Sequence, residues 1–454
     1  MALPLKTTLT IVAFGGMLLL TDLVPALQHY KVFDWRTVPK VLDFVDRRPS
    51  AAPEQAEQQR LRPETEPLKQ TRYPILDPQR QMDHFYNAIH RAASHPEGAH
   101  VKVLHYGDSP TTADMITADA RKLLQKQFGD GGHGFTLIAK PWAWYAHDGV
   151  DLNGQGWTID PANQSSAKDG IFGIGAVSFR AGAGAQTTLR LKDKTHSAIE
   201  LAYWKQPGGG QLRLLRGEED LGVIRTDSET PGSGFARFEL PAGTSEVTLR
   251  VMSGPVRLFG WSLEKARSGV VYNSLGVNGA YVSVLAKFMN EAHWREQLAH
   301  YDPDLVIVNY GTNESMYAQF VDYASEKEIR EVVRRIRSAA PKASILLMSP
   351  MDRGQRMAAG EIGTVPTIPR LVAIQRRVAT ETGSAFFNTF EAMGGVGTMA
   401  RWYEAEPRLV GADFIHPMPG GARIVGGLLY QALLDGYNKY KLRLIQKTMV
   451  AGRR

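Results

Sequence analysis

The stretch Val101-Lys-Val-Leu-His-Tyr-Gly-Asp-Ser-Pro-Thr-Thr-Ala-Asp114 decides how the rest of the chain is read. Its first half is apolar and β-rich as far as Gly107, and a helix-like segment begins a few residues later. Asp108 and Ser109 therefore sit where a buried strand hands over to a helix. At such a turn a hydroxyl projects from the carboxyl edge of a sheet, and free backbone N–H groups point at whatever charge develops beside it. That suits a nucleophile. A single Gly-Asp-Ser turn proves little, so the rest of the machinery has to be found elsewhere in the chain.

On either side the texture is that of an α/β domain. Met82 to Ser94 has helical spacing through Phe85, Ile89 and Ala92, and Met115 to Phe128 is amphipathic through Ile116, Leu123, Leu124 and Phe128. Gly129-Asp-Gly-Gly132 stops the second of these. From Phe135 to Lys265 the pattern changes. Runs such as Ala198-Ile-Glu-Leu-Ala-Tyr203, Gln211-Leu-Arg-Leu-Leu215, Ala236-Arg-Phe-Glu-Leu240 and Glu246-Val-Thr-Leu-Arg-Val251 alternate apolar with polar residues between Gly- and Pro-rich turns. That alternation predicts an antiparallel β-sandwich inserted over 135–268. Trp142, Trp144, Tyr145, Trp157, Tyr203 and Trp204 lie in it. They could present a sugar platform or fill a β-core.

The α/β texture resumes at Gly269. Strands are expected at Val270–Asn273, Asp304–Tyr310, Ser344–Met348 and Ala385–Phe387. Helices are expected at Ala280–Ala292, Glu326–Ser338, Ile368–Thr382 and Gly420–Tyr437. Alternation of this kind implies a doubly wound parallel sheet with its chemistry at the strand C-termini. The discontinuous outer domain would span 81–134 plus 269–440.

Composition limits the chemistry. The 454 residues include no cysteine, which excludes disulfides, thiolate catalysis and Cys-ligated zinc. The net charge of +7 is modest for this length, and no basic motif interleaved with aromatics points to nucleic acid. Leu9 to Leu27 is the most apolar stretch of its length, preceded by Lys6 and interrupted by Asp22 and Pro25. The preferred reading of residues 1–30 is a transmembrane signal anchor, with a cleaved signal peptide as the alternative. Residues 31–80 read as a linker, rich in Pro, Gln, Glu and Arg from about Pro49 to Arg80.

Three further segments fall at predicted strand ends: Asn273-Ser-Leu-Gly-Val-Asn-Gly-Ala280, Asn309-Tyr-Gly-Thr-Asn-Glu314 and Asp413-Phe-Ile-His416. A serine hydroxyl needs a base, and the imidazole of His416 is suited to that near neutral pH. Asp413, three residues earlier, can hold the imidazole tautomer and stabilise the imidazolium. Asp108 is expected to tie down the turn, and His105 to be a packed core histidine. Asp352 and Arg353, which follow a strand ending at Ser349-Pro350, are candidate substrate-binding residues or members of a surface loop.

With Gly107-Asp-Ser109, these blocks resemble in order the four blocks of the SGNH (GDSL-type) hydrolases. The resemblance implies a flavodoxin-like three-layer domain, a Ser109–His416–Asp413 triad, and an oxyanion hole from the N–H of Ser109, the N–H of Gly279 and the amide of Asn313. Gly276 competes with Gly279 for that role. Neither a metal nor a cofactor is implied. Gly131-Gly-His-Gly-Phe135, Gly276-Val-Asn-Gly-Ala280, and Met393-Gly-Gly395 with Trp402 further resemble bacterial peptidoglycan O-acetylesterases. Those usually carry histidine after the serine, where this chain has Pro110.

The resemblance, together with the apolar run Leu9–Leu27, leads us to expect a membrane-tethered periplasmic esterase that removes O-acetyl groups from a cell-envelope glycan, peptidoglycan or exopolysaccharide. A polysaccharide O-acetyltransferase using the same residues and a non-catalytic glycan-binding protein are the alternatives.

Overall fold

A computed structural model describes residues 72–94, 99–165, 167–358 and 360–451. The signal-anchor segment 1–30 lies outside the described residues, as does most of the linker. Among the described residues no helix is long and apolar enough to cross a membrane.

Six strands, all paired in parallel, form the central sheet: β1 (His100–Gly107), β2 (Asp130–Gly132), β3 (Gly269–Gly276), β4 (Leu305–Asn309), β5 (Ser344–Met348) and β6 (Ala385–Phe387). Their order across the sheet is β6-β5-β4-β1-β3-β2. Alternation along each strand divides the side chains between two faces. Val101, Val103, Leu305, Ile307, Leu346 and Met348 join one core cluster. Leu104, Tyr106, Val306, Val308, Ile345 and Leu347 join another.

Helices α1 (Asp83–Ser94), α3 (Met115–Phe128) and α7 (Pro419–Ala451) supply Phe85, Ile89, Leu124, Val425 and Leu429 to the first face. Helices α4 (Glu291–Tyr301), α5 (Ser325–Ala339) and α6 (Thr367–Thr382) supply Trp294, Val332, Ile336 and Ile368 to the second. A one-turn helix, α2 (Ser109–Thr112), follows β1 directly. Trp294 packs edge-on to Tyr106 and donates its Nε1–H to the Tyr106 hydroxyl at 3.2 Å, so the indole is buried without stranding its donor.

Connections leave β1 towards β2 and β4 towards β5, in opposite directions across the sheet. The crevice at the C-terminal ends of β1 and β4 is thus a topological switch point, where such sheets bind ligands.

After β2 the chain enters two antiparallel sheets and returns to the parallel sheet at Gly269. One runs Glu219–Arg225, Gln211–Arg216, Glu246–Ser253, Gln186–Leu191, Val150–Gln155. The other runs Gly232–Glu239, Ala198–Lys205, Val256–Glu264, Val177–Ala181, Thr158–Pro161, with Gly134–Thr136 also paired to Val256–Glu264. Leu189, Leu214 and Leu249 of the first share a core with Phe179, Leu201 and Leu258 of the second, as in a sandwich. Val256–Leu263 is buried throughout because α4 covers its other side, with His293 against Phe259.

Three expectations need correction. The linker does not extend to residue 80: Leu76 and Phe386 exchange backbone hydrogen bonds of 2.8 and 2.9 Å, adding a bridge at the sheet edge. Asp77 accepts from the N–H groups of Gln81 and Met82 at 2.7 and 3.0 Å and so helps start α1. The helix expected over Ala280–Ala292 is instead a π-helical turn, Val284–Phe288, followed by α4. Met289 turns extended there and the Asn290 side chain accepts from the His293 N–H at 3.1 Å, capping a new helix. The final helix continues past Tyr437 to Ala451.

Candidate active site

Ser109 opens α2, with Asp108 in extended conformation before it. The N–H groups of Thr111 and Thr112 both donate to the Asp108 carbonyl, at 3.0 and 3.3 Å, and close the turn. Pro110 lies in the first turn, where an N–H has no helical partner, so the proline costs no hydrogen bond. Close approach on both sides requires glycine. A Cβ at Gly107 would lie 2.2 Å from Thr111 Oγ1, and one at Gly276 would lie 2.4 Å from the Thr112 nitrogen.

The structure brings Ser109, His416 and Asp413 together. Asp413 Oδ2 lies 2.6 Å from His416 Nδ1, and His416 Nε2 lies 2.8 Å from Ser109 Oγ. With the proton on Nδ1 facing the carboxylate, Nε2 is left to accept from the serine hydroxyl. Asp413 Oδ1 also accepts from the N–H groups of Ile415 and His416, at 3.0 and 3.1 Å, which winds the four-residue segment into a tight turn. Phe414 takes a left-handed φ of 60° in that turn. Packing edge-on to Tyr403 holds this unfavourable conformation. Burial alone would raise the Asp413 pKa, but its hydrogen bonds from His416 and Ile415 and the imidazole charge outweigh that and hold it below the usual value.

The oxyanion candidates come from the loops after β3 and β4. Gly279 has a left-handed φ of +67°, and a Cβ there would meet only Asn163 Nδ2, at 3.9 Å. The two competing glycines thus separate: Gly276 permits packing against α2, while Gly279 permits a turn with a free face. The Asn313 amide donates to the Ala280 carbonyl at 2.9 Å, which ties the two loops together and leaves its second N–H for a ligand.

Asp108 is buried and accepts from the Thr312 N–H at 3.3 Å. Burial pushes its pKa up to about 6, against the hydrogen bonds from Thr312 and the charge of His416. His105 is also buried, its Nδ1 2.6 Å from the Tyr272 hydroxyl. The two remaining candidates part company. Arg353 donates to the Thr312 carbonyl at 2.6 Å, and its charge interacts with both Asp108 and Asp413. Asp352, by contrast, is buried and occupied by Thr364 Oγ1 at 2.8 Å and the Met399 N–H at 2.9 Å. Both oxygens brace the loop, and the side chain is buried within it.

Sequence reasoning missed Thr312 and Glu314. Both stand inside the Asn309–Glu314 block, yet only the fold shows Thr312 bonded to Asp108 and Glu314 buried. Glu314 Oε1 accepts from the Val282 N–H at 2.7 Å. Of the aromatics proposed as a sugar platform, Tyr145, Tyr203 and the half-buried Trp142, Trp157 and Trp204 are packed, leaving Trp144 exposed. Among the described residues no cluster of three or more His, Asp or Glu side chains could hold a metal.

Comparisons with known proteins agree with this architecture. Residues 252–424 match the GDSL-like Lipase/Acylhydrolase family. That span begins in the last inserted strands and holds Gly279, Asn313, Asp413 and His416; Ser109 lies ahead of the insert, outside it. Among solved structures, a peptidoglycan O-acetylesterase is similar at 24% identity and a TM-score of 0.66, covering 78% of this chain and 96% of that chain. A Bacillus subtilis protein is similar at 12% identity and a TM-score of 0.32, covering 62% of this chain and 89% of that one. No curated protein matches the sequence.

Proposed function

We propose that this chain, an SGNH hydrolase acting on ester bonds, removes O-acetyl groups from a cell-envelope glycan. The Ser109–His416–Asp413 relay at 2.8 and 2.6 Å carries the reading. The fold shared with a peptidoglycan O-acetylesterase supports the choice of acetylated glycan. In the first step Ser109 Oγ attacks the acetyl carbonyl while His416 Nε2 takes its proton, and Asp413 stabilises the imidazolium. The N–H of Ser109, the N–H of Gly279 and the free N–H of the Asn313 amide receive the oxyanion. Collapse expels the sugar hydroxyl, which takes its proton from His416 and leaves acetyl-serine. Water, deprotonated by His416, then releases acetate and restores Ser109.

The His416 and Asp413 side chains are each 46% exposed. Water therefore has a path to the acyl-enzyme for the second step. The same proposal keeps residues 1–30 as a membrane anchor holding the catalytic part in the periplasm, on the support of the apolar run Leu9–Leu27. Replacing Ser109 by alanine tests the assignment. Release of acetate from O-acetylated glycan should fall to background while the circular dichroism of the folded chain is kept, and full activity in Ser109→Ala would refute the nucleophile.

A further inference from the structure

Two tyrosines stand close in sequence to the proposed oxyanion donors. Tyr281 lies just after Gly279, and Tyr317 just after Asn313. Their ring centroids are 6.2 Å apart at 41°, and Phe320 packs edge-on behind Tyr281 at 5.3 Å. Tyr317 is 59% exposed and its neighbour Met316 is 52% exposed. Two adjacent apolar side chains left open in the loop that carries an oxyanion candidate offer a contact surface for substrate. Arg353 belongs to the same corner: it is bonded to Thr312, in the loop that leads to Tyr317, and its charge interacts with both tyrosines as well as with Asp108 and Asp413. Its one side-chain hydrogen bond among the described residues goes to the Thr312 carbonyl, so most of its five guanidinium N–H donors remain available. Asp413 is committed to His416, and Asp108 to Thr312.

We propose that Tyr281, Tyr317 and Arg353 form a sugar subsite that takes an acidic pyranose. The ring's C–H face stacks on Tyr317, backed by Tyr281, and the carboxylate lies on the Arg353 guanidinium. The chemistry fits on both counts. The negative face of an aromatic ring attracts the weakly positive C–H face of a pyranose. A planar guanidinium with free parallel donors matches a carboxylate bidentately. This subsite rests on the proposed glycan esterase activity and narrows its substrate to glycans carrying carboxylates. It also moves the aromatic sugar contact from the inserted sheets to the mouth of the crevice.

The test compares acetate release from O-acetylated polygalacturonate, O-acetylated dextran and p-nitrophenyl acetate, all with the full chain. The wild-type protein should favour the acidic glycan over the neutral one. Tyr317→Ala should lower the ratio of kcat/KM on either glycan to that on p-nitrophenyl acetate about tenfold, through KM. Arg353→Met should abolish the preference for polygalacturonate over dextran. Because Arg353 also braces Thr312, a purely structural loss would slow both glycans together and leave that preference standing, which would refute its role. Equal wild-type rates on the two glycans, or an unchanged ratio in Tyr317→Ala, would overturn the subsite and leave the esterase reading intact. Wild-type cleavage of p-nitrophenyl acetate with no acetate released from any glycan would overturn both.

Discussion

Glu314 makes the stability of this protein depend on pH in a direction that can be calculated. Its side chain is 1% exposed, and burial pushes its pKa from 4.5 up to about 8, helped by the nearby charges of Asp108 and Glu328 and opposed by the Val282 N–H bond. Oε2 has no partner among the described residues. It adjoins a cavity of about 10 Å³ that is also lined by Tyr310 and Gln375, whose hydroxyl and Oε1 likewise lack partners. That volume is roughly what one water molecule needs. A carboxyl raised in the folded state binds its proton more tightly there than in the unfolded chain. Its stabilisation is therefore complete below pH 4.5 and is lost as pH rises through about 8.

Between about pH 6 and that folded value lie roughly two pH units at about 1.4 kcal/mol each, so about 3 kcal/mol of stability should go through this one group by about pH 9. Glu314→Gln keeps an acceptor for the Val282 N–H and cannot ionise. Urea unfolding of the two proteins at both pH values is the assay. The variant should gain about 3 kcal/mol relative to wild type on going from the lower to the higher pH. Asp108 contributes in the same sense but is mostly ionised by about pH 7, so it shifts both proteins alike. A wild-type-to-variant difference that does not change with pH would refute the reasoning.

The remaining predictions concern the relay and its glycines. Asp413→Asn should leave the turn bonds to Ile415 and His416 but fail to fix the imidazole tautomer, so kcat on p-nitrophenyl acetate should fall on the order of 10³-fold or more. Loss of only a few-fold would remove Asp413 from the relay. Gly276→Ala and Gly279→Ala should separate packing from chemistry. The first places a methyl 2.4 Å from the Thr112 backbone and should lower thermal stability and activity together. The second meets nothing closer than 3.9 Å but has a φ of +67°, so it should cost roughly 1–2 kcal/mol of backbone strain. Its larger effect should be on kcat. Equal melting shifts for the two would contradict the distinction.

Much of the parallel sheet is legible because its strands are apolar runs cut off by turn residues. Ser344–Met348 and Ala385–Phe387 have the bounds that their composition indicates, and so has the helix Met115–Phe128 between Asp114 and Gly129. The same local logic fails at Ala280–Ala292. There an apolar segment of helical texture is split by the Asn290 cap, and the companion signal, an extended Met289, is a backbone angle that no side chain advertises. Leu76 reads as linker because its surroundings are polar. Its place depends on the free edge of β6, which the chain forms some three hundred residues later. At the site, Ser109, Asp413 and His416 could be named from their types and order. Thr312 and Glu314 could not, since their significance lies in long-range burial and in bonds to Asp108 and Val282.

Pro110 shows how the site distributes its accuracy. The α2 turn closes with the N–H groups of Thr111 and Thr112 already given to the Asp108 carbonyl, and Pro110 has none to offer. On the proposed function, Ser109 is thus the turn's one backbone donor for the oxyanion, and the others come from the loops after β3 and β4. Those loops are braced against each other and against the serine turn. Asn313 bonds the Ala280 carbonyl, Glu314 bonds the Val282 N–H, and Arg353 holds Thr312, which holds Asp108. Each bond joins elements distant in sequence, and each fixes a donor or its neighbour. A turn with one donor of its own can serve acyl transfer here because two other strand ends are locked to it.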